Sequence, residues 1–121
     1  MSEALAERLV EGIAKQDQAA IAACFAADAE FRALIPSGVR ERRGAGETAA
    51  LIAAWFRDST ELSLLEKRSD GIGDRIVISY RFVGIEEGQP YIVEQHLTCT
   101  VIDDLIQHAD LLCSGFRPRS G

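Results

Sequence analysis

Leu5, Leu9 and Ile13 stand four residues apart, with Ala6 and Val10 beside them. This apolar stripe has the helical period and predicts a helix over residues 2–16, with Ser2 as its N-cap. Asp17 is placed to cap a second, alanine-rich helix running to about residue 25. The apolar run 29–35 is stopped by Pro36-Ser37-Gly38 and reads as a strand and a turn. Val39 to Arg43 then pairs back as a short edge strand. Residues 45–58 return to the helical period, with Leu51, Ile52, Trp55 and Phe56 on one face.

From Glu61 onward the period becomes two, the signature of strands with one buried face. Asp70-Gly71 signals a turn. Ile76, Ile78, Tyr80 and Phe82 then alternate with Arg75, Val77, Ser79 and Arg81. A two-residue turn at Glu87-Gly88 sets the register of the following strand. It places Phe82 opposite Val93, Tyr80 opposite Gln95, Ile78 opposite Leu97 and Ile76 opposite Cys99. On the other face it pairs Arg81 with Glu94 and sets His96 beside Ser79. A further turn at Asp103-Asp104 leads to a last strand, Leu105 to Ser114. Carried through that turn, the register sets Cys99 against His108 and Leu97 against Asp110. His108, Asp110 and Leu112 are then expected on the inward face, with Ala109, Leu111 and Cys113 outward.

The chain has 121 residues and a formal net charge of −6. One α+β domain over residues 1–121 accounts for this length. The acidic balance lacks the positive field that nucleic-acid binding requires. Three cysteines, at 24, 99 and 113, have no CxxC spacing, so neither a disulfide framework nor a zinc site is indicated. Asp, Glu and His do not recur at metal-ligand spacing, and no Gly-rich loop follows a strand, so no metal and no nucleotide cofactor is expected. No apolar run is long enough to span a membrane, and residues 1–12 lack the apolar segment of a signal peptide. The expected compartment is the cytoplasm.

Two helices, a strand, a helix and then long antiparallel strands form an unusual order. It resembles the nuclear transport factor 2-like superfamily, and most closely its SnoaL-like branch. The most specific stretch is EQHLTCTVIDDLIQHADLLCSGFRP at residues 94–118, where Ile106 and Asp110 match the Ile-x-x-x-Asp strand of that branch. Asp103-Asp104 stands where the family usually has Asp-Gly. The resemblance implies a cone-shaped α+β barrel, a curved, mostly antiparallel sheet wrapped around N-terminal helices. It also implies an acid–base role for Asp110, as in SnoaL-like cyclases. The superfamily includes isomerases, hydrolases, dehydratases and transport factors, so fold alone does not choose among them.

On an inward face Asp110 would be desolvated and its pKa raised toward neutrality, where a general acid or base works best. His108 precedes it by two residues, roughly 7 Å along a strand, close enough to share a substrate. Tyr80 and Gln95 could donate hydrogen bonds to a developing oxyanion, or form a buried pair with no further role. Trp55, Phe82, Leu97 and Cys99 are candidate pocket-lining residues, or simply core. Arg40, Arg42 and Arg43 form a basic knot suited to a solvated edge or to an anionic ligand.

The resulting expectation is a domain binding a small hydrophobic molecule. It would be a cofactor-independent isomerase, cyclase or lyase using Asp110, with Tyr80 and His108, as catalytic groups. The alternative is a non-catalytic ligand-binding or dimerisation domain. Val77, Ser79, Arg81, Glu94, His96, Thr98, Thr100, Ala109, Leu111 and Cys113 make a lightly charged outer face that suits a homodimer, with His96 and Thr98 near the axis.

Overall fold

The computed structural model describes residues 2–119. Three helices, α1 (Ser2–Ala14), α2 (Gln18–Ala22) and α3 (Ala45–Phe56), accompany seven strands. The strands are β1 (Phe25–Ile35), β2 (Gly38–Arg43), β3 (Ser59–Ile72), β4 (Arg75–Glu86), β5 (Gln89–Ile102), β6 (Leu105–Cys113) and β7 (Arg117–Pro118). They form one sheet in the order β2-β1-β6-β5-β4-β3, with β7 against β5. Among the described residues, only β1 and β6 run parallel. The terminal strands β2 and β3 do not pair with each other, so the curved sheet stays open rather than closing into a barrel. The helices fill its inner side.

The stripe on α1 is buried as its spacing predicts: Leu5, Ala6, Leu9, Val10 and Ile13 are at most 2% exposed. Each of the larger residues contributes about 1.5–3 kcal/mol by leaving water. Gly12 lets α2 approach, since a Cβ there would stand 3.2 Å from Ile21 Cγ1. Asp17 caps α2 by accepting from the Ala20 N–H at 3.1 Å. That helix ends at Ala22, earlier than expected, because Phe25 and Ala26 already belong to the core of β1. The capping role expected of Ser2 lies outside the described side chains. Gln16 Nε2 donates to the Phe56 carbonyl at 2.6 Å and satisfies the end of α3.

Two turns decide where side chains point. Glu87 and Gly88 have φ of 51° and 78°, the left-handed pair of a type I′ hairpin. The β4–β5 register follows as predicted: Phe82–Val93, Tyr80–Gln95, Ile78–Leu97 and Ile76–Cys99 on the inner face, Arg81–Glu94 on the outer. The turn expected at Asp70-Gly71 does not form. β3 runs through both residues and reverses at Gly73-Asp74, where Gly73 takes φ +60°.

Asp103 and Asp104 do form the second turn, at φ 53° and 62°, and Ile102 pairs with Leu105 and Val101 with Ile106. A bulge follows. Thr100 pairs with His108, which leaves Gln107 without a partner on β5 and shifts the rest of β6 by one residue. Ala109, Leu111 and Cys113 therefore face inward, and His108, Asp110 and Leu112 face outward. This reverses the expected orientation of β6. The physical reason is that the inward set is now wholly apolar or thiol, whereas the unbulged register would bury a carboxylate and an imidazole. The parallel partner β1 shows a matching irregularity between Phe25 and Glu30.

Candidate functional site

The inner face of the sheet is filled rather than hollow. Tyr80, Phe82, Phe56, Phe116 and Tyr91 form a chain of edge-to-face rings with centroids 4.9–5.7 Å apart. Leu97 and Cys99 belong to the same core and are fully or nearly fully buried. Burial pushes the Cys99 thiol up to about 12, with the negative charge of Asp110 adding to it. Within this apolar packing Ser59 and Tyr91 share a buried hydrogen bond of 2.6 Å, and a second polar group centres on Gln95. The Tyr80 hydroxyl donates to Gln95 Oε1 at 2.6 Å, and Gln95 Nε2 donates to Cys113 Sγ at 3.4 Å. Burial raises the Tyr80 phenol well above its ordinary range, so the hydroxyl stays a donor.

Cys113 carries this polar line to the surface. It forms the floor of a cleft of about 220 Å³ lined by Ile35, Pro36, Ser37, Trp55, Gly115 and Phe116. The walls come from the end of β1 and its turn, the last turn of α3, and the tail after β6. Gly115 shapes the tail wall: at φ +86° it lies against Pro36, where a Cβ would come within 2.6 Å of Pro36 Cγ. Trp55 was singled out from the sequence, whereas Ile35, Pro36, Cys113 and Phe116 were not. The signal for Cys113 was present, because Ala109, Leu111 and Cys113 form the more apolar alternate set of β6.

Asp110 and His108 lie on the opposite side of the sheet from this cleft. Their side chains are 48% and 41% exposed. Asp110 accepts from Arg32 Nε at 3.3 Å and contacts His108 Nε2 at 3.3 Å, while His108 Nδ1 approaches Glu30 at 3.7 Å. They adjoin the exposed ion pairs Arg32–Asp110 and Arg43–Glu30. A groove of about 520 Å³ beside Asp110 runs along Arg32, Leu34, Val39 and Glu41 on this outer surface. Of the three residues expected to act together, Tyr80 is therefore separated from Asp110 and His108 by the sheet itself. Of the basic knot, Arg43 faces outward opposite Glu30, whereas Arg40 and Arg42 share the face of Ala33 and Phe31.

A family model for the SnoaL-like domain matches residues 6–109. The chain belongs to the SnoaL-like domain family. Solved structures share the fold of this SnoaL-like chain. A hypothetical protein of ketosteroid isomerase-like fold from Catenulispora acidiphila, solved with trimethylamine, superposes with a TM-score of 0.74 at 15% identity, over 88% of this chain and 82% of that one. Two candidate polyketide cyclases do likewise. The one from Xanthomonas campestris gives a TM-score of 0.73 at 19% identity over 91% and 87% of the two chains. The one from Pseudomonas putida gives 0.71 at 16% identity over 88% and 86%. At such identities the likeness is one of fold. No curated protein matches the sequence. Among the described residues, no helix is long and apolar enough to cross a membrane, and no three potential metal-ligating side chains converge.

Proposed function

We propose that this SnoaL-like domain binds a small apolar molecule in the cleft between Trp55, Pro36 and Phe116. The observation that carries the reading is the composition of the cleft: apolar walls, and a floor, Cys113, tied by hydrogen bonds to the buried Gln95–Tyr80 pair. Few placed polar groups among apolar walls are the usual makeup of a small-molecule site. At about 220 Å³ the cleft suits a molecule of one ring rather than a polycyclic one.

Among the described residues the cleft lining contains no carboxylate and no imidazole, and the Asp110 carboxylate lies on the other face of β6. The reading is therefore one of binding, without an acid–base step by Asp110. Trp55 is the sole tryptophan of the chain, so its fluorescence reports on the cleft directly. Titration with acetophenone and ethylbenzene should quench or shift that emission and raise the unfolding temperature, since a ligand of the native state stabilises it by mass action. No change in either signal at millimolar concentration would overturn the proposal.

A second copy of the chain is the partner we propose for the outer face. Val39, Leu34 and Leu112 stand side by side on β2, β1 and β6 at 56%, 51% and 52% exposure, in a row that continues to His96 and Ser79.

A further inference from the structure

On the outer face, Ser79, His96 and Glu94 form a linear relay. Ser79 Oγ lies 2.8 Å from His96 Nδ1, and His96 Nε2 lies 2.7 Å from Glu94 Oε2. A carboxylate only accepts hydrogen bonds, so Nε2 must carry a proton. In the neutral ring Nδ1 is then the free base, and it faces the Ser79 hydroxyl. This is the order of groups that activates a serine nucleophile, with the roles of the two ring nitrogens exchanged relative to the usual one.

The relay is held by the sheet rather than by loops. Ser79 pairs with His96, and Arg81 with Glu94, across the central strands β4 and β5. Arg81 Nε donates to the other oxygen, Glu94 Oε1, at 3.2 Å. The His96 hydrogen bond first, and Arg81 second, hold the Glu94 carboxyl below its ordinary range and keep it ionised. In the single chain the three side chains are partly exposed and open to a reactant. Beyond His96 in the same cross-strand row stands the exposed Leu112.

We propose that Ser79 is a nucleophile for aryl esters of apolar carboxylic acids, with His96 as its base and Glu94 as the residue that positions His96. Ser79 Oγ attacks the acyl carbon and its proton passes to His96 Nδ1. The carbon–oxygen bond to the phenol breaks, and the phenol leaves with that proton. Water then attacks the acyl-serine, gives a proton to His96, and releases the carboxylic acid as Ser79 regains its hydrogen.

The surroundings limit the substrate. The backbone N–H groups of β4 are spent on ladders to β3 and β5, and the cation across from Ser79 is Arg68 on β3. With so little to stabilise an oxyanion, only esters with a good leaving group react. The acyl chain lies over Leu112. This reading concerns a different face from the cleft and stands apart from ligand binding there.

The experiment is acylation by 4-nitrophenyl acetate and 4-nitrophenyl octanoate, with the adduct located by mass spectrometry. The expected result is an acyl group on Ser79 in the unaltered chain. Nitrophenol release should fall by about 100-fold in His96→Gln, the low end of what a positioned base supplies. Glu94→Gln should slow it less, and Leu112→Ser should erase the preference for octanoate over acetate. No adduct at Ser79, or release unchanged in both Ser79→Ala and His96→Gln, overturns the proposal. An adduct on Ser79 that forms as fast in His96→Gln overturns the relay.

Discussion

Gln107 Nε2 donates to Asp28 Oδ1 at 2.8 Å, joining the bulge of β6 to the irregular stretch of β1. The bond holds the Asp28 carboxyl below its ordinary range. It also marks the point from which every later residue of β6 changes face.

That reversal predicts opposite costs for two adjacent substitutions. Asp110 is exposed and its Arg32 partner more so, so Asp110→Ala should change stability by no more than about 1 kcal/mol. Leu111 is 3% exposed and packs inward, so Leu111→Ala should cost about 2–5 kcal/mol. Urea unfolding of both variants measures the contrast. The reverse order would restore the unbulged register and put Asp110 back inside.

The β4–β5 hairpin was legible because three local signals agree: a turn able to take positive φ, apolar alternation on both strands, and an opposite-charge pair on the outer face. The β5–β6 hairpin offered the same kind of turn, and its first two pairs do follow from it. What the hairpin's own residues do not carry is the demand of the parallel neighbour β1, distant in sequence, which fixes β6 from its other edge. The composition of β6 held a partial answer, since Ala109, Leu111 and Cys113 suit a core better than His108, Asp110 and Leu112. The cleft was harder to read. Its walls come from three separate segments, and its Pro36–Gly115 contact joins residues 79 positions apart, with no shared periodicity to announce it.

The Tyr80–Gln95 pair should behave as a coupled unit. Tyr80→Phe removes the donor to Gln95 Oε1 and leaves a buried amide oxygen unpaired, at a cost of about 1–3 kcal/mol. Gln95→Leu strands the Tyr80 hydroxyl in the same way. The double variant leaves no orphan between them, so its destabilisation should be smaller than the sum of the single ones. Additive losses in a double-mutant cycle would mean that the hydrogen bond contributes nothing to folding.

Alkaline pH should expose the burial of Cys99. Its thiol is pushed up to about 12 in the folded chain from an ordinary value of 9.0, by burial first and by the Asp110 charge second. Above 9.0 the unfolded chain therefore releases this proton while the folded chain keeps it. The associated stability is fully present below pH 9.0 and is lost as pH rises from there toward 12. This thiol contributes at most about 1.4 kcal/mol per pH unit to that loss. Tyr80, raised in the same direction, adds to it at higher pH. Urea midpoints between pH 8 and 10.5 should fall less steeply in Cys99→Ala than in the unaltered chain. Equal slopes would show that the thiol does not stay protonated in the fold.

The outer face should bring two copies together. The bulge changes its makeup from the one expected: β6 contributes His108, Asp110 and Leu112 rather than Ala109, Leu111 and Cys113. This strengthens the case for association, because Leu112 now extends the exposed row of Leu34 and Val39 toward His96 and Thr98. Next to that row, Glu41, Arg32 and Asp110 alternate in sign across β2, β1 and β6, so a two-fold mate meets compensated rather than like charge. A stable pair should bury at least about 1,000 Å² in total. Thr98 continues this charged row on β5, opposite Asp110, and Thr98→Arg would set two like charges face to face across the axis. Sedimentation at micromolar concentration should show a dimer for the unaltered chain and a monomer for Thr98→Arg. The dimer should also shield Ser79, so acylation per chain should slow as protein concentration rises and stay constant in Thr98→Arg. A monomer at micromolar concentration, or a Thr98→Arg chain that still dimerises, would show that this face is not the interface.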